Sequence, residues 1–196
     1  MFLYTVFIYL SMDNLIRNTI SKFQDYRSKR LKRLAVFLVS KKITANHLTL
    51  LSFISALLAV YFLFNQWHLL VIFTALHLTL DAVDGVVARI SGENYSGKLL
   101  DSLSDNLPIF LLILKLGWYF NDVYAYLIAA LFCLGYVIHL VSKFQAPFIP
   151  FRTAGLILMI LFTFSIKPSL LTGSYLAAGI ISVYTLARQL QYYLIK

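Results

Sequence analysis

A chain of 196 residues with 60% hydrophobic and only 13% charged side chains carries more apolar sequence than a water-soluble core of that length would use. Its 17 Lys plus Arg outnumber eight Asp plus Glu, for a formal charge of +9, and its one cysteine, Cys133, excludes a disulfide framework. What remains is a single polytopic membrane domain, all-α, with Cys133 expected as a small core residue.

Residues 1–12, MFLYTVFIYLSM, are apolar but shorter than the roughly 20 residues a spanning helix needs. They lack the basic start and the small-residue cleavage site of a signal peptide. Met12 opens the stretch MDNLIRNTI, and translation is expected to begin there. From residue 13 to 42 the character changes, with nine of the 17 Lys plus Arg lying between Arg17 and Lys42. Ile16, Ile20, Phe23, Leu31, Leu34 and Leu38 recur among them at helical intervals. Segment 1–42 is thus expected to carry a basic amphipathic helix on the membrane surface, drawn to anionic lipid head groups. A solvated charged linker is the plainer alternative. No nucleic-acid partner is expected, because the arm leads straight into membrane spans.

Segment 43–196 is expected to form a bundle of six transmembrane helices, at about 47–65, 68–90, 97–118, 123–144, 152–167 and 171–193. Asn65-Gln66, SGENYS at 91–96, Asn121-Asp122, residues 145–150 and Lys167-Pro168 separate them. Trp67, Trp118, Tyr119 and Tyr192 fall near predicted ends, where interfacial rings are favoured. An even number of spans puts both termini on one side, and the basic arm puts that side in the cytoplasm. Among the cations, Lys115 and Lys167 alone fall near the opposite face.

Residues 81–105, DAVDGVVARISGENYSGKLLDSLSD, hold Asp81, Asp84, Asp101 and Asp105, half of the acids in the chain. An ionised side chain at membrane depth costs about 2.5–3.5 kcal/mol on insertion scales, so four of them call for a function. Asp81, Asp84, Gly85 and Ala88 share one helical stripe at i, i+3, i+4 and i+7, and Gly97, Asp101 and Asp105 share another at i, i+4 and i+8. The short polar turn between them predicts antiparallel neighbours with these stripes facing. Four carboxylates so gathered repel unless a cation lies among them, and an all-oxygen set suits Mg²⁺ or Mn²⁺ rather than zinc. Mg²⁺ is commonly shared between protein carboxylates and substrate phosphates, which points to a phosphate or diphosphate ligand. A proton relay or ion pathway is the competing reading. It accounts for the acids but not for Gly85, Ala88, Arg89 and Gly97 at their offsets.

Asp81-x-x-Asp84-Gly85-x-x-Ala88-Arg89, then seven residues, then Gly97-x-x-x-Asp101-x-x-x-Asp105 resembles the signature of the CDP-alcohol phosphotransferase family. All eight fixed positions are filled. Ile43-Thr44-Ala45-Asn46-His47-Leu48-Thr49, ahead of the first span, is similar to the family's Pro-Asn-x-Leu-Thr stretch, with Ala45 in place of the proline.

The resemblance implies transfer of a substituted phosphate from a CDP-linked alcohol, commonly CDP-diacylglycerol, to an acceptor alcohol, with release of CMP. It implies that Asp81, Asp84 and Asp101 hold a pair of Mg²⁺ or Mn²⁺ ions, that Asp105 also touches the second, and that Asp105 is the general base. Gly85, Ala88 and Gly97 would be small to admit the nucleotide, and Arg89 would pair with phosphate or fix an aspartate. Ser91, Asn94 and Ser96 are further candidates for nucleotide contacts. Relatives acting on phosphorylated acceptors carry Arg or Lys after the last aspartate, where this chain has Asn106. Against that, Lys143, Arg152 and Arg188 lie at cytoplasmic ends of the last three spans, as an anion pocket or as head-group anchors. Of His47, His68, His77 and His139, only His77 is near the site, and it is expected to serve packing. Two other functions stay open, a Mg²⁺-dependent membrane prenyltransferase-like enzyme and a transporter with an acidic site. The reading also leaves room for a homodimer.

Overall fold

The computed structural model describes residue 22 and residues 25–92, 95–149 and 168–195, and among them it is all-helical. Residues 1–12 with Met12, the predicted span 152–167 with Arg152, Lys167, and Glu93 and Asn94 of the connecting loop lie outside the described residues.

Residues 25–40 form α1. Leu31, Ala35, Leu38 and Val39, about one turn apart, line the face it packs inward, and Ala35 is fully buried. Lys29, Arg30, Lys32 and Arg33 are exposed. Leu34, Val36 and Phe37 are exposed.

A two-residue turn at Lys41 and Lys42 leads to α2, Ala45–Phe62. Thr44 caps it, its Oγ1 accepting from the His47 backbone N–H while the Thr44 N–H donates to His47 Nδ1, both at 3.4 Å. The histidine thus takes the place of the acid in a capping box. At the other end Lys115 Nζ donates to the carbonyls of Val60 and Tyr61, each at 2.7 Å. It satisfies acceptors that the last turn of any helix leaves unpaired. The chain turns through Leu63 to Gln66 into α3, Trp67–Ser91, which ends at Gly92 with φ 86°, a value L side chains rarely adopt.

Helix α4, Tyr95–Phe120, runs back against α2 with Pro108 inside it, a residue that can donate no N–H to the turn before. Asp122 caps α5, Val123–Val141, through Oδ1 to the Tyr124 N–H at 2.9 Å. Helix α6, Pro168–Ile195, lies against α5, held in part by Gln189 Nε2, which donates to the carbonyls of Gly135 at 2.9 Å and Pro147 at 3.0 Å.

Three of these helices, α2, α3 and α5, are long and apolar enough to cross a membrane. α4 and α6 coincide with two more of the predicted spans, although α4 carries the acids that lower its apolar character. Large apolar side chains such as Ile72, Leu127, Leu134, Ile180 and Leu190 stand more than half exposed on the outer faces, where lipid is their solvent. Cys133 is half-buried rather than part of the packed core.

Two apolar clusters occupy opposite ends of the bundle. Ala59, Leu63, Leu70, Ile113 and Leu116 belong to the first, joined by residues of α5, and Ala35, Leu48, Val83, Val86 and Val87 to the second. Between them along α2, α3 and α4 lies a polar layer holding Thr49, Ser52, His77, Asp84 and Ser104, all buried. Small residues at Ser52, Ser55, Ala56 and Ala59 let α2 approach α3 closely enough for that layer to be hydrogen-bonded directly.

Candidate active site

The polar layer opens at one end into a cavity of about 330 Å³. Three elements wall it. The start of α2 contributes Thr44, Ala45, Asn46 and Thr49; the end of α3 contributes Asp84, Gly85, Ala88, Ser91 and Gly92; the first turns of α4 contribute Gly97, Lys98 and Asp101. Gly85, Ala88 and Gly97, expected to make room for a nucleotide, all line it. A pocket of this size matches those that take small ligands.

Asp81, Asp84 and Asp101 each present a carboxylate oxygen within 4.8 Å of the others. Asp84 is 3% exposed and accepts from Thr49 Oγ1 at 2.9 Å, Asp81 is half-buried and Asp101 is open to the cavity. Three carboxylates at such separations fit a hard divalent cation, since each offers only oxygen. Thr49 orients one of them, as second ligands around metals commonly do.

Asp105 stands one turn beyond Asp101, half-buried and outside this group of three. It borders a separate small void of about 10 Å³, roughly the room of one water, together with His77, Pro108 and Ile109. His77 is 1% exposed, and its Nδ1 lies 2.8 Å from Ser52 Oγ, which itself donates to the His77 carbonyl at 3.1 Å. The histidine expected to serve packing is therefore a hydrogen-bonded tie between α2 and α3.

Arg89 is exposed and not among the cavity-lining residues. Its Nε donates to the Gly85 carbonyl at 2.8 Å and its Nη1 to Ser28 Oγ of α1 at 2.7 Å, so it pins α1 to α3. Ser91 lines the cavity while its Oγ donates to the Val87 carbonyl at 3.0 Å; Ser96 is exposed and does not line it. Lys98 lies 4.8 Å from the Phe144 ring centre, a cation held against an aromatic face at the cavity wall. Asn106 is buried, and its Nδ2 donates to the Ser102 carbonyl at 2.8 Å. Lys143 is exposed just past α5, and Arg188 Nη1 donates to Gln191 Oε1 at 3.4 Å.

Thr49, which lines the cavity, and Arg27 of α1, whose guanidinium lies beside Gly85, went unrecognised in the sequence. Thr49 stands in the Asn-His-Leu-Thr stretch already singled out, which was the available signal. Arg27 is one cation among nine in a basic arm, with nothing local to distinguish it.

The model of the family described as CDP-alcohol phosphatidyltransferase matches residues 42–188. The chain belongs to that family. An archaetidylinositol phosphate synthase from Pyrococcus horikoshii is 38% identical to it over 90 residues, 45% of this chain and 48% of the relative. The chain thus matches about half the length of that relative. As a member of the CDP-alcohol phosphatidyltransferase family it is a membrane protein, and the family match takes in every cavity-lining residue while leaving α1 outside. The family is that of CDP-linked alcohol donors and alcohol acceptors, and the three-aspartate cluster is where this member can hold a metal.

Proposed function

We propose that the protein transfers a phosphatidyl group from CDP-diacylglycerol to an acceptor alcohol, releasing CMP, as a step in phospholipid synthesis. The observation that carries this reading is the cluster of three aspartate oxygens within 4.8 Å, beside a cavity whose other walls are Gly85, Ala88 and Gly97. Asp81, Asp84 and Asp101 would hold the divalent ions, Mg²⁺ or Mn²⁺, with Asp105 outside their group and kept for the proton. When bound, such ions neutralise the diphosphate and make its phosphorus more electrophilic.

The nucleotide lies along Gly85, Ala88 and Gly97, and Thr49 holds Asp84 in its ligating orientation. Arg89 keeps α1 docked beside this wall. Asp105, deeper in the bundle than Asp101, accepts the acceptor hydroxyl's proton as the new oxygen–phosphorus bond forms and the bond to CMP breaks. A general base of this kind contributes about 10² to 10⁴ in rate. Donor and metals enter from the end of the bundle that bears the basic arm, the cytoplasmic side, and the arm rests on anionic lipid.

A phosphorylated inositol acceptor is favoured by the name of the Pyrococcus horikoshii relative. The neutral, buried Asn106 after the last aspartate favours an uncharged alcohol. The deciding experiment incubates purified protein with CDP-diacylglycerol, Mg²⁺ and a panel of alcohols that includes inositol phosphate. CMP formed with one acceptor supports the reading and names the acceptor. Release of inorganic diphosphate, or of nothing with any acceptor, overturns it in favour of a prenyltransferase-like enzyme or a transporter.

A further inference from the structure

We infer that Arg27 of α1 is a phosphate-binding residue of the nucleotide site, so that the basic arm completes the pocket as well as meeting the membrane. This rests on the reading of the cavity as the site of a CDP-linked substrate. The placement begins with helix register: Arg27, Leu31 and Ala35 follow one another at i, i+4 and i+8, and Leu31 and Ala35 pack against Val83, Val86 and Val87 of α3. Arg27 therefore continues the packed face of α1 towards the end of α3. Among the described cations of the arm it is half-buried, whereas Lys22, Lys29, Arg30, Lys32, Arg33, Lys41 and Lys42 are exposed.

The guanidinium reaches Gly85. A Cβ built on that glycine would stand 2.8 Å from Arg27 Nη2 and 3.7 Å from Cζ, closer than real side chains approach. The glycine thus leaves room for the guanidinium, which lies against a residue of the cavity wall without itself being among the lining residues. Its Nε is buried and has no hydrogen-bond partner among the described residues, an N–H donor left for a ligand. Next to it on α1, Ser28 is tied to α3 by Arg89 at 2.7 Å, which fixes this end of the arm. A planar guanidinium beside a carboxylate-bound cation suits a diphosphate, which it can grip through two oxygens at once.

The test measures binding of CMP and of CDP to purified protein in detergent at saturating Mg²⁺. Both are water-soluble, so attachment of the arm to lipid does not enter. Arg27→Gln is expected to weaken both about 10- to 100-fold, with Arg27→Lys recovering part of the loss, while Arg30→Gln on the exposed side of the same helix binds as wild type. Wild-type nucleotide affinity in Arg27→Gln overturns the inference, and if Mg²⁺ affinity rises at the same time the arginine is a counter-ion of the aspartates. Should Arg27→Gln fail to fold, Arg27→Lys decides, since undiminished affinity for CDP there removes the two-oxygen grip. Failure of the wild type to bind either nucleotide overturns the substrate reading itself, and this inference with it.

Discussion

Asp101 and Asp105 are one turn apart on α4, yet their surroundings divide them. Asp101 shares the cluster with Asp81 and Asp84, while Asp105 borders a water-sized void beside His77. Asp101→Asn is expected to raise the Mg²⁺ concentration needed for activity. Asp105→Asn is expected to lower turnover by about 10² to 10⁴ with CDP-lipid affinity near normal. Mg²⁺ titrations of both variants check this; identical profiles would make Asp105 a metal ligand and not the base. A second residue-scale prediction concerns Thr49, whose hydroxyl donates to buried Asp84 at 2.9 Å. Thr49→Val keeps the shape and loses the donor, and a hydrogen bond to a charged group is worth about 1.5–3 kcal/mol. The Mg²⁺ midpoint should rise about tenfold or more, and Thr49→Ser should restore it.

At the scale of the helices, Lys115 tests how far one side chain secures an element's end. Its Nζ meets the carbonyls of Val60 and Tyr61, which α2 itself cannot satisfy. Lys115→Met should cost about 1 kcal/mol by removing the donor shared by one part-buried and one exposed carbonyl. A lowered thermal midpoint in detergent, with unaltered Mg²⁺ dependence among the molecules still folded, is the expected result; an unchanged midpoint contradicts it. What the sequence makes legible at this scale is periodic. The aspartate stripes follow from i, i+3 and i+4 spacing along two helices joined by a short turn, and Asp81, Asp84 and Asp101 do converge. The contacts that join distant helices are not periodic. Arg89 to Ser28 spans 61 residues and Thr49 to Asp84 spans 35, and each depends on how one helix is rotated against another.

For the molecule as a whole, the cavity sits at the end of the bundle shared by the α1–α2 turn and the α3–α4 loop, and the α2–α3 turn marks the other end. Basic residues crowd the first of these, which the positive-inside rule assigns to the cytoplasm. With Cys133 replaced by Ala, Ser96→Cys should be labelled by an impermeant thiol reagent only from the cytoplasmic side, and Asn65→Cys only from the opposite side. The reverse pattern would invert the molecule and contradict this assignment. The central claim, that a carboxylate-held metal makes this cavity a site for CDP-linked lipid, is tested most directly by CMP release from CDP-diacylglycerol as free Mg²⁺ is varied. Release is expected to vanish in excess EDTA and to return on adding Mg²⁺; full turnover in excess EDTA would contradict it.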